Sequence, residues 1–238
     1  PGMIWEPIKG FTILTFPGVP SEMKAMWEET AFEFIRNKFS DGYSLFSNTL
    51  KFSGIGESSV AEEINDLLNL KNPTVAPYAN LGEMKLRITA RAKNDLDAQN
   101  IIKPVKEKLT KKFSKFIFGE DHDTLPSVLI KELAKKKETI VFAESCTGGL
   151  LSSSITSISG SSLVFQGGVV CYSNELKNSL LDISEERLTK YGAVSKEVCE
   201  TMAINVKEKL GADWAIAISG IAGPDGGSRE KPVGLVYI

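Results

Sequence analysis

The chain has 238 residues, of which 42% are hydrophobic and 24% charged, with a formal net charge of −2. This is ordinary globular composition, long enough for one large domain or two smaller ones, and so weak a charge gives no global attraction to nucleic acid or an anionic membrane. Three widely spaced cysteines (Cys146, Cys171, Cys199) argue against a disulfide framework, and the single histidine, His122, nearly excludes a Ser-His-Asp triad, a Cys-His dyad and a histidine-rich zinc site.

In the first 45 residues, the apolar stretch 11–16 reads as a strand ended by Pro17-Gly18-Val19-Pro20. Ser21 is expected to cap a helix carrying Met23, Met26, Trp27 and Phe34. One strand and one helix cannot form a core alone, and the chain opens abruptly at Pro1-Gly2, so this region is expected to be the tail of a domain. Residues 46–121 follow as strand (47–52), helix (58–68), strands (74–78 and 83–92) and helix (95–113). Met84-Lys85-Leu86-Arg87-Ile88-Thr89-Ala90 alternates apolar and polar, as a half-buried strand does. The order predicts a small α+β module with helices on one sheet face. Lys103, Lys106, Lys108, Lys111, Lys112 and Lys115 form a basic cluster, broken by Glu107 and lacking an aromatic stacking platform. It reads as a solvated helix face, and nucleic acid is not an expected partner.

Glu120-Asp121-His122-Asp123 reads as a polar linker into a third region, 122–238. There a helix (125–137) has Asp123 or Thr124 as cap and Pro126 in its first turn. A strand (139–143), a helix (149–158), a strand (164–172), a helical segment (175–181), a helix after Ser195 and strands at 214–219 and 233–238 follow. The alternation predicts a layered α/β domain. Its last strand stops with the chain, so this domain is expected to be incomplete at its end. No apolar run has the length of a membrane span and the first residues do not read as a signal peptide, which together with the cysteines points to the cytoplasm and no membrane partner.

Ala143-Glu144-Ser145-Cys146-Thr147-Gly148-Gly149 leaves a strand and opens a helix. Such a strand end faces the crevice where α/β proteins bind ligands, and a helix start offers N–H groups to an oxyanion or phosphate. The plainer alternative is a capped helix behind a tight glycine turn. Tyr172-Ser173-Asn174-Glu175-Leu176-Lys177 lies past a second strand. Ser219-Gly220-Ile221-Ala222-Gly223-Pro224-Asp225-Gly226-Gly227 lies past a third and is glycine-dense enough to wrap a phosphate. With histidine out of reach, Ser145 needs another base. Lys177 is the candidate, because burial beside strand ends lowers a lysine pKa; the alternative is a solvated helix lysine. Cys146 is the rival nucleophile, pointing to the opposite face from Ser145 if strand geometry persists, or a small core cysteine.

These segments, with Gly168-Val169-Val170-Cys171 before Tyr172, Gly192-Ala193-Val194-Ser195 and Lys231-Pro232-Val233-Gly234, closely resemble the carboxy-terminal domain of CinA (competence/damage-inducible) proteins from about residue 124 onward. The resemblance implies a nicotinamide mononucleotide deamidase working through a Ser/Lys pair at Ser145 and Lys177, with Tyr172 as a further catalytic residue. Cys146, Thr147, Gly148, Gly149, Asn174, Ser219, Gly220, Gly223, Gly226 and Gly227 would bind substrate. It implies a small nucleotide substrate, a homodimer or higher homo-oligomer, and no cofactor for this domain. The middle region resembles the family's KH-type insert, although Gly54-Ile55-Gly56 lacks the GXXG spacing that grips RNA. The first residues resemble the end of its molybdopterin-binding-like domain. An ADP-ribose pyrophosphatase, with a divalent metal, would belong to an intact amino-terminal domain. A non-catalytic nucleotide-binding module is the third alternative.

Overall fold

The computed structural model describes residues 2–80 and 82–238, and falls into two compact units, Pro1–Ile117 and Phe118–Ile238. In the first unit β1 (Met3–Ile8) pairs antiparallel with β2 (Phe11–Thr15), in the register Met3↔Thr15. The sequence reading missed β1, whose six residues are all exposed and so lack an inside-outside alternation. The helix begins at α1 (Pro20–Met26), passes through one π turn at Trp27–Ala31 and continues as α2 (Phe32–Phe39). Val19 rather than Ser21 is its cap residue. Pro20 takes the first turn, where its missing N–H removes no helical bond.

The rest of this region is β3 (Ser44–Phe52), α3 (Glu57–Glu63), α4 (Asn65–Leu68), β4 (Thr74–Asn80), β5 (Glu83–Ala92) and α5 (Asp95–Lys112), with β4, β5 and β3 adjacent in that order, and β6 (Ile117–Glu120) follows where the first unit gives way to the second. On β5 the alternation holds: Met84, Leu86, Ile88, Ala90 and Ala92 are buried. They share a core with Ala98, Ile102, Val105 and Leu109, which recur on one face of α5. Lys108 pairs with Asp66, Lys112 with Glu63 and Lys103 with Glu107, so much of the basic cluster is already neutralised on the helix surface. Part of the expected linker is structured too, since Glu120 ends β6 and Thr124 then caps the next helix.

The second unit contains α6 (Leu125–Lys136), β7 (Ile140–Glu144), α7 (Leu150–Thr156), a 3-10 turn (Ser161–Leu163), β8 (Phe165–Val170), α8 (Asn174–Leu181), α9 (Glu185–Tyr191), α10 (Lys196–Leu210), β9 (Trp214–Gly220) and β10 (Val236–Tyr237). The sheet order is β10-β9-β7-β8. β7 is parallel to both β8 and β9, and β10 is antiparallel to β9. β7 is buried along its whole length, as a parallel strand covered on both faces must be. Ile140 and Phe142 pack in a core with Ile130, Leu133 and Ile155, while Val141 and Ala143 pack with Leu181, Val198 and Met202. The layered α/β architecture follows from that alternation. α9, short and polar, had not been expected. β10 is shorter than the stretch 233–238 predicted, because Gly234, at φ +91°, turns the chain first. Among the described residues no helix is long and apolar enough to cross a membrane.

Candidate active site

Alternation along β7 also decides which side chain faces which layer. Carried one residue further at each step, it sends Glu144 toward α7 and Ser145 toward α8. Ser145 leaves the strand with its N–H donating to the Ile218 carbonyl of β9 at 2.9 Å, and the residue is buried. Gly148 and Gly149, at φ +59° and +101°, then turn the chain into α7 in a conformation that a side chain would strain.

Glu144 is fully buried and its carboxylate is fully engaged. Oε2 accepts from the Gly149 N–H at 3.1 Å and the Leu151 N–H at 3.0 Å. Oε1 accepts from the Ser152 N–H at 2.8 Å and the Ser152 hydroxyl at 2.6 Å. Burial pushes this carboxyl up, but the Ser152 hydroxyl, the nearby Thr147 side chain and the N–H groups of Ser152 and Leu151 together outweigh it and hold it below the usual carboxylate range. The start of α7 is therefore not free for a ligand, contrary to the sequence expectation. The N–H groups of Gly148 and Leu150 go to the carbonyls of Ser145 and Thr147. Among the described residues this leaves the Cys146 and Thr147 N–H groups without a hydrogen-bond partner.

Ser173 caps α8 by accepting from the Leu176 N–H, and one turn into that helix Lys177 turns inward, 1% exposed. Its Nζ donates to Ser145 Oγ at 2.9 Å, to the Cys171 carbonyl at 2.8 Å and to the Tyr172 carbonyl at 3.0 Å. Burial holds Lys177 below the ordinary lysine value, opposed more weakly by the Cys171 and Cys146 thiols. The Cys171 N–H donates to the Glu144 carbonyl at 2.9 Å, so the backbone that cradles the lysine is fastened to the strand that presents the serine. Burial pushes the Cys171 thiol up, which keeps it protonated.

The remaining expected residues are placed less uniformly. Tyr172 contributes its carbonyl, while the residue as a whole is 68% exposed. Cys146 is half-buried against the end of β9, where a Cβ added at Gly220 would lie 3.1 Å from its Sγ; among the described residues no base is hydrogen-bonded to it. Asn174 lines a polar cleft of about 530 Å³ together with Glu175, Asn178, Ser179, Glu185 and Thr189, between α8 and α9. Ser219 is fully buried and donates its hydroxyl to the Ala193 carbonyl at 2.8 Å, a structural tie rather than a free ligand group. In the glycine loop, a Cβ at Gly223 would meet Val233 Cγ1 at 2.6 Å and one at Gly227 the Val233 N at 2.8 Å. These two glycines let the loop fold over Val233, whereas Gly226, at φ +86°, has open space around it. Among the described residues no three His, Cys, Asp or Glu side chains gather as a metal site. Glu144 and Ser152 were given no role from sequence. The signal for Glu144 was its parity on the strand, opposite to Ser145.

A family model for the CinA C-terminal domain matches residues 122–238, and one for the damage-inducible protein CinA KH domain matches 47–119. A CinA-like protein of Prochlorococcus marinus (strain MIT 9215) is 85% identical over 238 residues, covering all of this chain and 56% of its own length. A CinA-like protein of Gloeothece citriformis (strain PCC 7424) is 52% identical, over all of this chain and 57% of its own. The competence/damage inducible protein CihA from Agrobacterium tumefaciens, a crystal structure, is 44% identical over 47% of this chain and 68% of that one, with a TM-score of 0.47. The chain spans about half the length of the curated relatives it matches. It belongs to the CinA family.

Proposed function

We propose that the second unit hydrolyses a carboxamide, with Ser145 as nucleophile and Lys177 as its base. The observation that carries this reading is the 2.9 Å contact between Lys177 Nζ and Ser145 Oγ inside a buried cradle of two carbonyls. A neutral amine has two N–H bonds and a lone pair. The carbonyls of Cys171 and Tyr172 hold the N–H bonds, and the lone pair faces the serine hydroxyl. Ser145 Oγ attacks the amide carbon as its proton passes to Lys177, and the oxyanion is held by the N–H groups of Cys146 and Thr147. Lys177 returns the proton to the departing nitrogen, which leaves as ammonia. The same lysine then deprotonates the water that cleaves the Ser145 ester to the acid.

The substrate is nicotinamide mononucleotide, converted to nicotinate mononucleotide and ammonia. That choice rests on the resemblance of the motifs around Ser145, Lys177 and the glycine loop to CinA-type deamidases. The test is ammonia release from nicotinamide mononucleotide by the full chain. Ser145→Ala and Lys177→Ala should each lower turnover at least about 100-fold in folded protein. Undiminished turnover in Ser145→Ala rejects the proposal, and labelling of Cys146 by substrate would move the nucleophile to that residue.

A further inference from the structure

Glu144, next to Ser145, is the one fully buried carboxylate among the described residues, and the chemistry above does not use it. A carboxylate withdrawn from water is costly unless it is hydrogen-bonded, and this one receives donors on both oxygens. Three of the four donors come from the backbone between Gly149 and Ser152, and none is the lysine. The carboxylate therefore does not pair with Lys177. It grips the far end of the turn whose near end is Ser145.

We propose that Glu144 is the positioning residue of the serine turn, acting as a built-in anion at the start of α7. By binding the N–H groups of Gly149, Leu151 and Ser152 it closes the turn from inside. The N–H groups of Cys146 and Thr147, the two residues after Ser145, then remain without a hydrogen-bond partner among the described residues. Its own carbonyl takes the Cys171 N–H at 2.9 Å, and the next atoms along are the Cys171 and Tyr172 carbonyls that hold Lys177 Nζ. One residue thus fixes the oxyanion donors through its side chain and the base through its backbone. Only the side-chain half can be removed by substitution, so the two can be separated. The neighbouring layer is shaped for the contact. A Cβ added at Gly168 on β8 would stand 2.5 Å from Ser152 Oγ, so only a glycine there lets Ser152 reach Glu144.

The inference rests on the amide-hydrolase reading, and its test is chosen to fail separately from it. A fluorophosphonate probe phosphonylates activated serines irrespective of the natural substrate, the serine oxygen displacing fluoride while its proton passes to the base, and its transition state needs the same oxyanion donors. The full chain is treated with the probe as wild type, Glu144→Gln and Ser152→Ala, and labelling of Ser145 is followed by intact mass across pH. Glu144→Gln turns an NH2 toward backbone donors and should label about 100-fold more slowly, the scale of losing an oxyanion donor. Ser152→Ala keeps the carboxylate and three of its donors, and should slow labelling about 3- to 10-fold. In both, the pH midpoint of labelling stays at the wild-type position, because the backbone cradle of Lys177 is untouched. Wild-type labelling rates in folded Glu144→Gln overturn the role of Glu144. Should that variant not fold, an unchanged rate in Ser152→Ala overturns it. A rate loss accompanied by a shifted pH midpoint also overturns it, since Glu144 would then act on the base. Failure of the wild type to label overturns the hydrolase reading instead.

Discussion

Lys177 Nζ meets Ser145 Oγ at 2.9 Å across 32 residues of sequence, and its other two donors end on backbone carbonyls at 2.8 and 3.0 Å. Both protonation states fit that cradle. Ammonium donates to all three oxygens, while the neutral amine keeps the carbonyls and accepts from the serine. What favours the neutral form is burial, which lowers the Lys177 pKa from its ordinary 10.5.

Turnover and probe labelling should therefore rise with pH along a limb lying below 10.5 and level off above it. Lys177→Arg, permanently charged, should lose at least about 100-fold at every pH and show no such limb. A pH–rate profile of kcat/KM checks both. A limb at or above the ordinary lysine value removes Lys177 as the base.

The same shift makes a statement about stability. Lys177 binds a proton more weakly folded than unfolded, so between its folded pKa and 10.5 the unfolded chain holds more protons. Stability should then increase as pH rises through the folded value and be complete above 10.5. Lys177→Met fills the same space without a charge, and should remove that increase. Urea unfolding of the two proteins at pH 7 and pH 10 reads the difference. Equal pH dependence would mean that the lysine is not desolvated in the native state.

Gly168 offers a test by double substitution. Its Cβ in Gly168→Ala would crowd Ser152 Oγ at 2.5 Å, with Phe142 O next at 3.5 Å. The substitution should cost about 1–3 kcal/mol and loosen the Ser152–Glu144 contact. In a Ser152→Ala background the offending oxygen is gone, so Gly168→Ala should cost less than half as much there. Thermal unfolding of the four proteins measures the coupling. Additive costs would place the strain elsewhere.

Much of this arrangement could be read from sequence where a single element decided it. The β5 alternation led to a half-buried strand of the α+β module, the succession of strands and helices after residue 124 to the layered α/β unit, and the strand-end loops with the single histidine to Ser145 and Lys177. What escaped was tertiary. Parity on β7 sends Glu144 to the α7 side but does not give its partners, because Gly149, Leu151 and Ser152 become its donors only after the glycine turn folds back. β1 and α9 escaped for a different reason: exposed or polar residues leave no apolar period to detect. The glycine loop read as a phosphate cradle because packing against Val233 and binding a phosphate require the same residue.

The glycine loop and the short motifs at 192–195 and 231–234 converge on one turn. After α9, the Tyr191 carbonyl accepts from Lys231 Nζ at 2.7 Å, the Gly192 carbonyl from the Ser195 hydroxyl at 2.9 Å, and the Ala193 carbonyl from the Ser219 hydroxyl at 2.8 Å. Three consecutive carbonyls are thus satisfied by three different motifs, and the glycine loop is tied at both ends, by Ser219 and Lys231. Ser219→Ala leaves a carbonyl without its donor and should destabilise by roughly 1–2 kcal/mol. Lys231→Ala should cost less, because that side chain reaches solvent more readily, yet release the loop's far end. The double variant should cost more than the sum, since either tie alone still anchors the loop. Denaturation gives the stabilities and a substrate titration the KM. If Ser219→Ala raises KM with stability unchanged, its hydroxyl serves the substrate after all; a stability loss with KM held near wild type makes it the fastening of the turn.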